Sequence, residues 1–441
     1  MKRKVNKLKK IGIIAMFLSL SLPASSQEYI DLCSFISDYP TTVREVSVNK
    51  WLFCQRAFFS SFFYVSDTSS LLHSMDFLAY PILINDFEIY SDWVFFCGES
   101  TDPSDSYAFV GKFNITLFPS STVYFYKIDR LKSLTKIEVK NGGLATVDAY
   151  MIGQDNIGKN FFVSANLPGF GNPGSFYFSE ATDGNIGILD DIAITRNYVV
   201  VSGRNLSSRF GYLYYFNIPS FVGAPYATNT YYGYIGYTVD NPILIKHCTD
   251  DYIVTVSSGS TDHIISALNG ISYAYMIKIP RENGAIERDL DYNKDSRELD
   301  LLIGNPENSQ ADCFSYIYHL GVINATTSPA PFNIHNYANG HFYSLRKTSE
   351  AFPLTNRFIT SGGFCSSHRF LWYRYNSHQW KNCSLKLAKD SYTEAPGWKP
   401  KDHEYFPEGI EIKPITLTTR IRHYEHDIFC PERDHLEESE E

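Results

Sequence analysis

The stretch WVFFCG at Trp93–Gly98, followed by a polar loop and an aromatic run at Tyr107–Ile115, decides the fold. The same phrase returns as YVVVSG at Tyr198–Gly203, followed by a second aromatic run at Gly211–Ile218. In both copies a short apolar strand ends in small or polar residues, and an aromatic-rich strand follows. Self-similarity of this kind indicates a repeat architecture built from one recurring supersecondary unit.

A third strand precedes the phrase in the clearest copies. Ile84–Tyr90 leads through two polar residues into the Trp93 strand, and Leu189–Thr195 leads in the same way into the Tyr198 strand. Such short connections suit tight hairpins, and two successive hairpins make a four-stranded sheet. Candidate copies of the phrase start at intervals that average about 51 residues, close to the period of kelch-type repeats; they begin near Trp51, Trp93, Asn160, Tyr198, Tyr252, Leu299 and Arg357.

Over most of residues 45–380 the chain resembles secreted bacterial β-propellers. The resemblance implies an all-β fold, with a single β-propeller of about seven four-stranded blades and six blades as the alternative. It implies no particular activity, since function resides in sites rather than in folds. A long β-solenoid and a pair of β-sandwiches are the other architectures that the pattern leaves open. Residues 411–430 are expected to supply a closing strand beside residues 41–54.

The first 26 residues have the pattern of a secretory signal peptide. Six basic residues precede the short apolar run Ile11–Leu22, and Ala24 and Ser26 occupy the small-residue positions of a cleavage site before Gln27. We therefore expect export to the periplasm, the cell surface or the medium, with no membrane-spanning segment in the mature chain. The predicted organisation is a signal peptide at 1–26, a propeller at 27–430 and a disordered acidic tail at 431–441.

Charge and cysteine content narrow the function classes. Cleavage of the predicted signal peptide removes six basic residues and changes the formal charge from −9 to −15. A mature chain of this charge disfavours nucleic acid and anionic membranes as partners. None of the eight cysteines has C-x-x-C spacing, so the pattern indicates neither a redox motif nor a zinc knuckle. Disulfides are permitted outside the cytoplasm in any of 105 pairings. Cys97 and Cys365 lie in strand-like runs, where buried free thiols are also expected.

Two carboxylates occupy matching positions in the repeat. Asp86 lies eight residues before Val94, and Asp191 lies eight residues before Val199. In a propeller such positions face the central channel, where the two groups could bind a cation or act as an acid and base on a sugar. The alternative is that they only line a water-filled channel or cap a turn. Phe170 and Phe210 lie in loops and are the aromatic candidates for stacking on a ligand.

An acidic stretch resembles the start of a calcium-binding loop. Asp289, Asp291 and Asn293 have the spacing of its oxygen ligands, but Lys294 replaces the glycine that the sharp turn requires. Calcium is therefore the one cofactor for which the sequence gives a signal. The competing interpretation is a solvated acidic loop between blades.

The functional expectation is an exported, non-catalytic binding or scaffold protein whose loop face holds a glycan or an envelope protein. The alternative is a polysaccharide hydrolase or lyase that uses carboxylates near the propeller axis, Asp86 and Asp191 first. A third hypothesis is a structural subunit of a cell-envelope complex. No catalytic residue is assigned, because no nucleophile elbow or zinc-protease motif occurs in the chain.

Overall fold

The computed structural model describes the parts of the chain that form strands and their shorter connections. No helix in these parts is long and apolar enough to span a bilayer. The only helical element among them is a 3-10 turn at Ile115–Leu117, so the all-β prediction is confirmed. The described residues are 28–31, 40–47, 50–57, 60–66, 71–77, 80–129, 131–143, 146–168, 176–180, 187–205, 207, 209–218, 230–238, 241–270, 272–281, 284–293, 298–304, 314–322, 333–338, 340–347, 357–364, 369–376, 381–382, 399–401, 412–417, 420–425 and 428–429.

The described strands form seven antiparallel sheets, numbered here I to VII. After β1 (Glu28–Asp31), sheets I to III contain β2 (Pro40–Ser47), β3 (Lys50–Ala57), β4 (Ser60–Ser66) and β5 (Leu71–Asp76); β6 (Ile82–Tyr90), β7 (Trp93–Ser100), β8 (Ala108–Asn114) and β9 (Val123–Ile128); and β10 (Leu131–Gly143), β11 (Thr146–Asp155), β12 (Asn160–Pro168) and β13 (Phe176–Glu180). Sheets IV and V contain β14 (Ile188–Ile194), β15 (Tyr198–Arg204), β16 (Phe210–Asn217) and β17 (Thr230–Thr238); and β18 (Leu244–Thr249), β19 (Tyr252–Ser258), β20 (Asp262–Asn269) and β21 (Ser272–Pro280). Sheets VI and VII contain β22 (Ile286–Asn293), β23 (Glu298–Gly304), β24 (Phe314–Val322) and β25 (Asn333–Ala338); and β26 (Gly340–Lys347), β27 (Arg357–Phe364) and β28 (Arg369–Asn376), joined by β1.

The first strand of each sheet, here called its inner strand, contacts the inner strands of the neighbouring sheets. These contacts follow chain order from β2 through β6, β10, β14, β18 and β22 to β26, and β26 also contacts β2. The inner strands therefore form a cycle of contacts that returns to its start. Several antiparallel sheets in such an order are compatible with a β-propeller-like fold.

Both chain ends add strands to the sheets. The N-terminal β1 pairs with β28, with Tyr29 opposite Tyr373. Near the C-terminus, five short strands extend the outer edges of sheets VI, IV, II, I and VII in turn; they are β29 (Lys381–Asn382), β30 (Lys399–Lys401), β31 (Ile412–Leu417), β32 (Arg420–Glu425) and β33 (Ile428–Phe429). The expected closing strand beside residues 41–54 is therefore wrong: β31 and β32 pair with β9 and β5, and β1 already occupies the edge of β28.

The predicted hairpins are confirmed, but one copy of the phrase was placed wrongly. Tyr90 pairs with Trp93 across a two-residue turn in which Ser91 has a φ of 52°, as tight hairpins require. Asn160 begins the third strand of sheet III, whereas the second strand is β11. The inner strand β10 is longer than the inner strands of the other sheets. This extra length is the reason that the predicted start of the phrase falls on β12 instead of β11.

Apolar clusters join each pair of neighbouring sheets from I to VI. The cluster between sheets I and II includes Phe63, whose ring packs edge-on against those of Phe87 and Phe113. Similar clusters lie between the next four pairs of sheets. Aromatic rings bury large apolar areas, and the prediction that they pack between sheets is confirmed. The thiol of Cys97 is buried and free, as expected, and that of Cys248 is also buried and free. Cys365 lies outside the described residues.

Candidate functional site

Several inner strands have a bulge at the same position, and the side chains that follow it form the candidate site. The strand register shifts just before Asp86 in β6, Lys136 in β10, Asp191 in β14 and Asp289 in β22. A bulge bends its strand and re-aims the side chain that follows. In sheet II the opposite strand carries Gly98, where a β-carbon would overlap the carbonyl oxygen of Leu83. The small residue that ends the repeated phrase is therefore what allows the bulged strand to approach.

Charged side chains occupy two successive levels after this bulge. Residues i and i+2 of a strand lie on one face, so the side chains two positions further on share the face of the first set. Three basic and six acidic residues make up the set, which has a formal charge of −3. We call this set the charge cluster; its members are Arg44, Asp86, Glu88, Lys136, Glu138, Asp191, Lys246, Asp289 and Asp291.

Charged groups of the cluster on non-adjacent inner strands influence one another. Asp289 on β22 raises the pKa of Arg44 on β2 and also that of Lys136 on β10. Strand β26 lies between β22 and β2 in the cycle, and β14 and β18 lie between β22 and β10. The three charges therefore lie within the range of electrostatic influence across the intervening strands, because charges separated by much more than a Debye length are screened.

Arg44 holds two carboxylates of the neighbouring sheet. Its Nε donates to Glu88 Oε1 at 2.7 Å, its Nη2 donates to Asp86 Oδ1 at 3.4 Å, and the guanidinium lies 5.4 Å from the centre of the Phe87 ring. Burial alone lowers the pKa of Arg44, but Glu88, Asp86, Asp289 and Glu138 together raise it above its ordinary value. Arg44 is therefore a fixed positive charge in the cluster.

Asp86 and Asp191, the two carboxylates predicted from the repeat, occupy equivalent positions and perform the same structural task. Asp86 Oδ2 accepts the backbone N–H of Ile137 at 3.3 Å, and Asp191 Oδ2 accepts that of Ile245 at 2.9 Å. Each carboxylate therefore ties its own inner strand to the next one. Burial raises the pKa of Asp86, while Lys136 and Arg44 lower it.

Glu138 differs from the other carboxylates of the cluster. Burial and the neighbouring Glu88 carboxylate raise the pKa of Glu138 to about 8, although Lys246 and Arg44 oppose the shift. Near neutral pH this carboxyl group therefore holds a proton for much of the time. Lys136 is held in its charged form, because Asp191, Asp86 and Asp289 raise its pKa against the effect of burial; its Nζ lies 3.8 Å from Asp191 Oδ1.

The cluster is accessible in part. The side chains of Arg44, Glu88 and Lys136 retain 15%, 20% and 36% of their exposure. The site thus combines cations, several carboxyl groups and one carboxyl group, Glu138, whose pKa is raised to about 8, with part of the set in reach of solvent. Such a set offers strong donors and acceptors in several directions, which is the chemistry that a polar, hydroxyl-rich ligand would use.

The two aromatic candidates have different outcomes. Phe210 begins β16, at the end of its sheet where β14 carries its bulge, and is 36% exposed. It therefore lies at the end of its sheet that is nearer to Asp191. Phe170 lies outside the described residues. A ligand-binding role for either residue stays a prediction.

The calcium candidates lie on a strand rather than in the solvated loop that was the competing interpretation. Asp289 and Asp291 belong to β22, and Asn293 is its last residue. Among the residues whose side chains are described, no group of three or more His, Cys, Asp or Glu is arranged to hold a metal ion. Calcium binding by these three residues stays a prediction.

A second buried polar cluster links sheets V and VI. His263 Nδ1 lies 2.6 Å from Glu287 Oε1, and Ser258 Oγ donates to Glu287 Oε2 and lies 3.4 Å from the same nitrogen of His263. A nucleophilic serine requires the serine on one ring nitrogen and the acid on the other. Both partners lie against Nδ1, so this cluster does not have the geometry of a hydrolase triad. Its contacts join the two sheets.

Sequence reasoning missed most of the charge cluster. A fixed offset of eight residues identifies Asp86 and Asp191, but the same offset from the predicted start at Asn160 points to Gly153 instead of Lys136, because Asn160 begins the third strand of sheet III. The pattern Asp-x-Glu at Asp86 and Lys-x-Glu at Lys136, each at period two, is the signal that could have identified the cluster.

No protein-family model matches the chain, and no curated protein matches it in sequence.

Proposed function

We propose that this chain is an exported seven-bladed β-propeller that binds a glycan in the space enclosed by its inner strands. The blade number is supported by seven sheets of four or five strands and by the cycle of inner-strand contacts. A solenoid or a pair of sandwiches would not give seven sheets in this order. Export is supported by the signal-peptide pattern before Gln27.

The charge cluster carries the functional part of the proposal. Arg44, Lys136 and Lys246 offer donors, and six carboxyl groups offer acceptors, on the inner strands of the sheets. Sugar hydroxyls both donate and accept hydrogen bonds and can use both kinds of group. The excess of acidic groups disfavours polyanionic glycans, so neutral or amino sugars are the favoured class.

Binding is tested with oligosaccharides and one cationic variant. Purified mature protein is titrated calorimetrically with xylo-, manno- and chito-oligosaccharides and with oligogalacturonate. Lys246→Met removes a donor that no described residue hydrogen-bonds, and Lys132→Met is a matched change at an exposed position of β10. Because a hydrogen bond to a charged group contributes about 1.5 kcal/mol or more, Lys246→Met should weaken binding at least tenfold.

Three outcomes would contradict the proposal. One is that none of these oligosaccharides binds. Another is that Lys132→Met weakens binding as strongly as Lys246→Met, and the third is that only oligogalacturonate binds. Absence of binding would favour a structural subunit of an envelope complex, which affinity capture of an envelope protein from a membrane extract would then support.

A further inference from the structure

Two carboxyl groups of the charge cluster occupy corresponding positions on neighbouring inner strands. Glu88 on β6 lies two residues after Asp86 and opposite Phe95, and Glu138 on β10 lies two residues after Lys136 and opposite Tyr150. Phe95 and Tyr150 hold the same position in their own strands. Glu88 and Glu138 are therefore neighbours at one level of the cluster, and each is partly exposed.

The surroundings of these two carboxyl groups differ. Glu88 accepts a 2.7 Å hydrogen bond from the guanidinium of Arg44, which stabilises its ionised form. None of the described residues donates a hydrogen bond to Glu138. The charged groups that act on Glu138 are Glu88 and Asp86 from β6, Lys246 from β18 and Arg44 from β2.

The charged forms of the two groups are therefore stabilised to different degrees. Burial and Glu88 raise the pKa of Glu138 to about 8, while the guanidinium of Arg44 donates directly to Glu88. Adjacent carboxyl groups whose surroundings separate their protonation states are the arrangement that acid and base catalysis requires.

We propose that Glu138 and Glu88 are the acid and base of a glycoside hydrolase site. This inference rests on the proposed function, because the substrate is the glycan bound in the charge cluster. Asp86 and Asp191, the carboxylates that the repeat suggested, instead tie inner strands together through backbone N–H groups. Arg44 is a positioning residue that orients Glu88.

The reaction consumes one water per bond. The carboxyl proton of Glu138 passes to the bridging oxygen, and the bond between the anomeric carbon and that oxygen breaks, with its electron pair remaining on the departing hydroxyl group. A water oxygen bonds to the anomeric carbon, and its proton passes to the Glu88 carboxylate. Exchange with solvent then returns one proton to Glu138 and removes one from Glu88.

The test measures binding and cleavage on the same samples. Xylo-, manno- and chito-oligosaccharides are incubated with mature protein, new reducing ends are quantified, and affinity is measured by calorimetry. Glu138→Gln and Glu88→Gln should each lower turnover at least a hundredfold while affinity changes less than threefold. Glu99→Gln, on β7 and outside the charge cluster, is the matched control and should retain wild-type turnover.

A pH profile of the wild-type protein provides a measurement that does not depend on the folding of a variant. Turnover should decline as the pH rises through about 8, where Glu138 loses its proton. Oligosaccharides that bind without release of reducing ends would overturn the inference and leave the proposed binding function intact. Absence of binding would overturn both. Unchanged turnover in Glu138→Gln, or turnover that rises steadily above pH 8, would overturn the assignment of Glu138.

Discussion

Replacement of Arg44 by methionine tests whether the charge cluster is a coupled electrostatic unit. The substitution preserves much of the aliphatic stem that packs on Phe87 but removes the charge that Glu88 and Asp86 share. Two inward-facing carboxylates then repel each other without the cation between them, and they also act on Glu138. We expect the variant to fold with lower stability at neutral pH.

The size of the effect follows from burial. Removal of one partner from a buried ion pair costs about 3–5 kcal/mol. Arg44 and Glu88 retain 15% and 20% exposure, so solvent screening places the loss at the lower end, about 3 kcal/mol. Unfolding entropy is about 2.1 cal/mol/K per residue. For a mature chain of about 415 residues the melting temperature should fall by about 3 °C.

Calorimetry of the wild type, Arg44→Met and Arg196→Met provides the assay. Arg196 is exposed and lies in the turn between β14 and β15, so its substitution should leave the melting temperature within 1 °C, since exposed sites change stability by about 0.5 kcal/mol or less. The stabilisation by Arg44 requires ionised carboxylates. It is present at neutral pH and is lost as the pH falls and these groups become protonated. Equal melting temperatures of Arg44→Met and Arg196→Met at pH 7 would refute this prediction. It would also be refuted if the melting temperature of Arg44→Met lies as far below that of the wild type at pH 4 as at pH 7.

Two further predictions concern the sheet IV–V interface and export. Burial raises the pKa of Asp190 to about 6 against the influence of Arg204, so its ionisation opposes folding. The stability of the wild type relative to Asp190→Asn should therefore fall by about 2.4 kcal/mol as the pH rises from 4 to 7. A difference in melting temperature that does not change with pH would contradict this. The natively exported protein should begin at Gln27, as intact mass will measure, and a retained basic N-terminus would contradict the signal-peptide prediction.

The parts of the fold that local pattern controls were predictable. Hairpins such as β6–β7 arise from an apolar strand, a two-residue polar turn and a second apolar strand, all within about 20 residues. The offset of eight residues identifies both Asp86 and Asp191 because the chain between the bulge and the paired residue of the second strand has the same length in sheets II and IV.

The rest of the cluster depends on pairings that a local pattern does not contain. Arg44 and Glu88 come from different sheets, 44 residues apart, and Glu138 is hidden by the longer inner strand of sheet III. The C-terminal strands β29–β33 add to distant edges through backbone hydrogen bonds. Edge pairing of this kind leaves little trace in side-chain periodicity.

A crystal structure of the mature protein with a bound chito- or xylo-oligosaccharide is the most direct test of the central claim. The account predicts a sugar inside the cycle of seven inner strands, with hydroxyl groups within hydrogen-bond distance of Glu88, Glu138 and Lys246. A sugar bound only on the outer strands, or inner strands that do not enclose a common space around these three side chains, would contradict it.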